Sequence, residues 1–416
     1  MNRHHPWLHR FALMTALATL GLIGLGGLVT SKEAGMSVPD WPTSYGYNMF
    51  ALPFKFWSGG VFYEHTHRLW ASTVGLLVVV LARWLGGRAA CRPLLIVGAV
   101  EILAGIGVFA LWPNLKGTGH FLTGIGGVVL LAGLVWVKNE ASGRTLVKLG
   151  WAVFWLVQFQ GLLGGLRVVL FKDQIGILHA SLAQIFFVLT SAIALSTSRW
   201  WQKGGDIQHS TFNIQHPADT ASMKPLDCEG SASLRRLFQF TTLLIFLQLL
   251  IAATMRHQHA GLAIRDFPLA HGRLWPATDA DSIASYNQAR QEITNVNPIT
   301  AFQVQLQMAH RVVAVMILAA VACCAWRAWR IALIRWLAAG WLALILLQVA
   351  LGAATVLTDK AADLATAHVL VGALSLASGV LLCIITGRSL ATTCRTAQNR
   401  AAAENFSREE IAASAP

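Results

Sequence analysis

Charged side chains are scarce in this sequence. Asp, Glu, Lys and Arg make up 12% of its 416 residues, against 55% hydrophobic, and the mean hydropathy is +0.55. That balance excludes a soluble globular domain, because repeated apolar runs of about 20 residues are transmembrane helices. Acidic residues are scarcer still, 19 against 32 Lys and Arg, for a formal net charge of +13. Most of those cations fall in alternate inter-helix loops and the tails. This is the positive-inside pattern, so the charge marks the anionic inner leaflet of a membrane and not nucleic acid. Cysteine is sparse too. The six (Cys91, Cys228, Cys323, Cys324, Cys383 and Cys394) lie in inner loops or within helices, which excludes a structural disulfide on the oxidising side.

What the sequence does have is apolar runs, near 11–30, 62–84, 93–112, 119–137, 148–170, 175–197, 237–255, 306–327, 332–357 and 364–386. The first follows basic residues, as a signal peptide would, but no small-residue cleavage site comes after it. It reads as an uncleaved helix whose Gly21, Gly24, Gly26 and Gly27 allow close helix contact. Ten helices place both termini inside, the loops 31–61, 171–174, 256–305 and 358–363 outside, and a polar linker at 199–235 inside. The expected division is an N-terminal bundle over 1–198, that linker, a C-terminal bundle over 236–388 and a cytoplasmic tail over 389–416.

Phe62-Tyr63-Glu64-His65-Thr66-His67-Arg68-Leu69-Trp70 opens the second helix with ionisable groups where hydrocarbon begins, a costly place to keep them. Glu64 and His67 share a helix face, while His65 points elsewhere. The motif recurs. His310-Arg311 opens another apolar helix, and Ala260 through Pro268 echoes Ala34-Gly35-Met36-Ser37-Val38-Pro39-Asp40-Trp41-Pro42. Gln160-x-x-Leu163-Gly164-Gly165 before His179 is echoed by Gln348-x-x-Leu351-Gly352-Ala353 before His368. The chain therefore reads as two pseudo-symmetric four-helix units, each with a His on its second and fourth helices. The longer spacing from His67 to His179 than from His310 to His368 marks residues of about 88–141 as an inserted transmembrane hairpin. Glu101 and His120 belong to it and read as structural or peripheral.

Two imidazoles on separate helices, at one depth and facing into a four-helix bundle, suit six-coordinate haem iron. Zinc would want more ligands, with Cys or carboxylate at a spacing the sequence lacks. Arg68 and Arg311 are placed either to meet haem propionates or to anchor lipid headgroups. A proton-relay transporter would also use membrane His and Glu residues, but would not need the pair twice.

Together, Glu64-x-x-His67-Arg68, Asp40-Trp41-Pro42, Leu163-Gly164-Gly165, His179, His310-Arg311 and His368 resemble the heme A synthase family. The likeness spans about 11–388, apart from the hairpin and the linker. It implies a membrane oxidoreductase of the bacterial cytoplasmic membrane that oxidises a methyl group of heme O to a formyl group, giving heme A. By the resemblance, His310 and His368 match ligands of a resident heme b, His67 and His179 match ligands of the substrate heme O, and Glu64 matches the family's essential acid. A heme O supplier and a terminal oxidase under assembly are the implied partners. Two departures stand out. Ser37 and Ser44 occupy places where many bacterial members carry a cysteine pair, and the hairpin is additional. The competing readings are a diheme b-type electron-transfer protein and a haem carrier without turnover.

The residues also separate the halves. At the place of Glu64, three before His310, stands Gln307, which has nearly the same shape but holds no charge. Chemistry is therefore expected in the N-terminal half and the resident redox cofactor in the C-terminal half. The alternative is that Glu64 only orients Arg68 or an imidazole.

Overall fold

A computed structural model describes residues 5–135, 140–202, 228–293, 297–329 and 331–413. Most of the expected linker, at 203–227, lies outside the described residues. The long helices are α1 (Pro6–Ser31), α2 (Gly59–Gly86), α3 (Cys91–Leu111), α4 (Lys116–Leu134), α5 (Arg144–Leu170), α6 (Asp173–Thr197), α7 (Cys228–His257), α8 (Ala280–Ile293), α9 (Ala301–Ala328), α10 (Ala332–Leu357) and α11 (Ala362–Ala413). Among the described residues, nine helical stretches are long and apolar enough to cross a membrane. The longest, Gly59–Leu111, holds both α2 and α3. The chain is an all-α integral membrane protein.

Local chemistry sets several ends. Pro6 begins α1 with His5 capping Leu8, since a missing N–H costs nothing there. Thr300 and Gln303 form a reciprocal capping box for α9. Gly87, at φ 53, stops α2, a backbone that only glycine adopts without strain.

The helices form two rings. In one, α1 packs on α2, α2 on α5, α5 on α6, and α6 back on α1; in the other, α7, α9, α10 and α11 close in the same way. Phe154, Val74 and Ile193 fill the first ring's core, and Trp341, Phe238 and Ile317 fill the second's. Ile23, Phe187, Ala373 and Ala377 join the rings.

The hairpin of α3 and α4 lies beside α2 and α5. Its seam is built from Gly98, Gly105, Gly119, Gly126 and Gly133, where an added Cβ would lie within 3.0 Å of the facing helix. Lipid drives no apolar packing, so contact this close is what holds such a pair. Arg83, buried at the far end of α2, donates to Gly87 O, Ala132 O and Val135 O. It thereby pins both ends of the hairpin. Ser142 N also donates to Leu85 O at 2.8 Å, so α2 and α5 meet where the hairpin leaves and returns.

Two features differ from the sequence reading. The loop at 256–305 contains α8, whose polar composition carries no transmembrane signal. The last helix runs to Ala413, because nothing after Arg388 breaks it.

Candidate functional site

Each ring is roofed at one end by a loop clamped to the helix that carries the first histidine. Over the N-terminal ring, Val38 N donates to Glu64 Oε2 at 2.9 Å, and Arg68 Nη2 donates to Glu64 Oε1 at 2.8 Å. Arg68 also reaches Asp40 O, Thr43 O and Val38 O. Over the C-terminal ring, Ile264 N donates to Gln307 Oε1 at 2.7 Å, while Gln307 Nε2 returns to Ile264 O at 3.0 Å. Arg311 donates to Leu269 O and Asp266 O. Val38 and Ile264 are fully buried beneath their loops.

Both loops are built around an aspartate. Asp40 accepts from Tyr45 N and Gly46 N, and Asp266 accepts from His271 N and Gly272 N. Each aspartate thus fixes a turn with positive φ at Tyr45-Gly46 and His271-Gly272. Burial pushes the Asp40 carboxyl up, but hydrogen bonds from Thr43, Gly46 and Tyr45 outweigh it and hold the group below its ordinary 3.8. At Asp266, burial is likewise outweighed by the bonds from Gly272 and His271.

Beneath the roofs lie the histidines. His310 and His368 face each other, with ring centroids 6.4 Å apart and planes at 60°. An imidazole–metal–imidazole unit with metal–nitrogen bonds of about 2 Å needs ring centroids about 6 Å apart. The pair therefore has the spacing to hold one metal atom between its nitrogens. His67 and His179 occupy the other ring, and Arg167 lies in electrostatic range of both.

All four rings are half-buried, and all four Nδ1 atoms are buried without a partner among the described residues. Three sit on glycine. An added Cβ would lie 3.1 Å from His67 Cε1 at Gly26, 3.4 Å from His179 Cε1 at Gly164, and 3.1 Å from His368 Cε1 at Gly352. Glutamines steady the same turns: Gln160 Nε2 donates to His179 O, Gln248 Nε2 donates to His310 O, and Gln348 Nε2 lies 3.4 Å from His368 Nε2. Among the described residues no group of three or more His, Cys, Asp or Glu converges on a metal site. An opposed pair is nonetheless enough for porphyrin iron, whose other ligands come from the macrocycle.

The remaining sequence candidates lie elsewhere. His65 is turned away, buried against Trp57 and 3.4 Å from Ser44 Oγ. His120 is exposed beside Phe109. Glu101 is buried in the hairpin, with neither carboxylate oxygen hydrogen-bonded among the described residues. Arg68 and Arg311 both hold roof backbone, which the sequence did not reveal.

Sequence reasoning missed Arg167, which ends α5 under the first roof. The available signal was the motif itself: Leu163-Gly164-Gly165-Leu166-Arg167 is matched in the second half by Leu351-Gly352-Ala353-Ala354-Thr355. Trp41 was also missed as a contact. Its indole lies flat on Gly165, where a Cβ would come within 2.1 Å of the ring, and it touches Phe121 of the hairpin.

No curated protein matches the chain. A family model described as COX15-CtaA, cytochrome oxidase assembly protein, matches residues 119–380. That span includes His179, His310, His368 and Arg167, while Glu64, His67 and Arg68 precede it. The match covers well over half of the sequence, and the chain belongs to the COX15-CtaA family of cytochrome oxidase assembly proteins.

Proposed function

We propose that this protein is a heme A synthase, which oxidises a methyl group of heme O to the formyl group of heme A. The observation that carries the reading is the His310–His368 pair, opposed at 6.4 Å in a chain of the oxidase-assembly family. In this reading His310 and His368 hold a resident heme b, and Arg311 stands at its edge. His67 and His179 receive heme O beneath the first roof. Heme b held there would supply one-electron redox chemistry for the oxidation.

The residues of the first ring do the positioning. His67 and His179 fix the substrate macrocycle. Trp41, lying across Gly165, and the buried Val38 keep water from the site. Glu64 is the catalytic residue of the proposal. Both of its oxygens already accept hydrogen bonds, which favours a fixed negative charge one helical turn from His67 over a proton shuttle. Such a charge stabilises positive charge developing at a carbon being oxidised. Gln307 cannot do this for the other ring. In this reading the membrane is a bacterial cytoplasmic membrane, and the positive-inside pattern supports roofs on its outer face with both termini in the cytoplasm. A heme O supplier and a terminal oxidase are the partners in this reading.

The test is co-expression with a source of heme O, followed by pigment extraction. Heme A or its hydroxylated intermediate is expected. Heme B alone would contradict the proposal and leave the electron-transfer reading in its place.

A further inference from the structure

We infer that Arg167 anchors an acidic group, a carboxylate at the porphyrin edge, of the ligand taken between His67 and His179. It does so in place of Arg68. The inference rests on the reading that this pair receives the substrate haem.

A guanidinium offers five N–H donors. Arg68 gives its Nη1 hydrogens to Asp40 O and Thr43 O, and its Nη2 hydrogens to Val38 O and Glu64. Only its Nε–H remains. Arg311, at the matching place, makes just two such bonds among the described residues. Gln307 is bonded to roof backbone and leaves Arg311 alone. The acid in the first ring thus commits its neighbouring arginine, and the amide in the second does not. A dicarboxylate macrocycle finds an available arginine on the second helix of the C-terminal ring and none on the second helix of the N-terminal ring.

Arg167 fills that gap from the third helix. It stands one turn beyond Gly164, on which the His179 ring rests, and its Nη2 would lie 3.0 Å from a Cβ at Gly35 of the roof. The side chain is half-buried. Glu64 and Asp173 are in electrostatic range, yet among the described residues Arg167 makes no side-chain hydrogen bond and neither carboxylate closes an ion pair with it. Arg256 adds positive charge nearby. A half-buried cation with no hydrogen-bonded internal partner is costly to keep, and a ligand carboxylate there would offset that cost. The C-terminal ring has Thr355 at this place, its hydroxyl turned back onto Leu351 O at 2.7 Å. Each ring therefore offers one arginine with donors to spare, Arg311 with its two roof bonds in one and Arg167 in the other.

The test uses the heme b-loaded protein in membranes, titrated with haem B and with its dimethyl ester as probes. Low-spin absorbance is read against a His67→Ala control. Esterification is expected to weaken wild-type binding about tenfold or more, as losing a charge-assisted pair does. Arg167→Leu should bind the free acid that much more weakly and no longer distinguish acid from ester. Arg167→Lys should recover part of the loss, as a point charge without the fork. Unchanged heme b content reports an intact fold, and should Arg167→Leu lose heme b, Arg167→Gln carries the comparison. Wild-type affinity for the free acid in Arg167→Leu, or the wild-type preference for acid over ester kept in that variant, overturns the inference. A wild type that takes up no haem beyond its heme b overturns the substrate-site reading as well. A wild type that binds both probes equally overturns this inference alone.

Discussion

Glu64 and Arg68 form an ion pair of 2.8 Å, one helical turn apart on α2 with His67 between them in the chain, and both side chains are nearly closed off from solvent. The pair is a structural clamp, since both partners hold the backbone of the same roof. It is also the point at which the rings differ, because among the described residues Gln307 and Arg311 hold the second roof with no hydrogen bond between them.

Glu64→Gln removes the charge and keeps the shape. An amide oxygen still accepts from Val38, but Arg68 loses its counter-charge, at a cost of about 1–3 kcal/mol. Heme b content should stay at the wild-type level, heme O should still be accepted, and heme A should vanish from the extract. Wild-type heme A yield would show that the clamp is all Glu64 provides.

Two glycines offer a side-by-side comparison. Val at Gly352 crowds the His368 ring and Val at Gly26 crowds the His67 ring, each already 3.1 Å from a first added carbon. Overpacking of this kind costs about 1–3 kcal/mol. Gly352→Val should deplete heme b, and Gly26→Val should spare heme b while weakening uptake of added haem. Equal effects of the two on heme b would contradict the assignment of one macrocycle to each pair.

The roofs should loosen in acid. Asp40 and Asp266 are held below their ordinary 3.8 in the folded protein. Their contribution is therefore complete above that value and is lost as pH falls through the lower folded one. Protease cleavage at 37–47 and 263–273 should stay flat from neutral pH down to about pH 4 and rise below it. Asp40→Asn should flatten the rise in the first segment only; a rise beginning near neutral pH would assign the effect to other groups.

Much of this molecule could be read from the sequence, because apolar runs and histidine positions are local signals. The length of each run located the helices, and the change of spacing between histidines located the hairpin. The glycine seam from Gly98 to Gly133 was visible as a recurring interval but has meaning only once α3 and α4 face each other. Arg167 was not legible for a different reason. A lone arginine at a helix end looks like an interfacial anchor, and its importance depends on what Arg68 is bonded to through contacts with residues 25 to 30 positions away in the chain. The polar helix α8 gave no apolar period to detect.

The hairpin can be tested as an addition. Its two ends meet where Ser142 N bonds Leu85 O, so joining Arg88 to Gly143 should close α2 onto α5 and leave heme b at His310 and His368 untouched. Haem at the other pair should bind more weakly, since Phe121 no longer supports Trp41. Loss of heme b from an inserted, stable deletion protein would show that the hairpin braces both rings.

The division of labour between the rings is tested most directly by measuring heme b content and heme A yield together in His67→Ala and His310→Ala, each co-expressed with a heme O source. This division of labour predicts that His310→Ala loses heme b, and that His67→Ala keeps heme b at the wild-type level while making no heme A. Loss of heme b from His67→Ala with retention in His310→Ala, or a wild-type yield of heme A from His67→Ala, would contradict it.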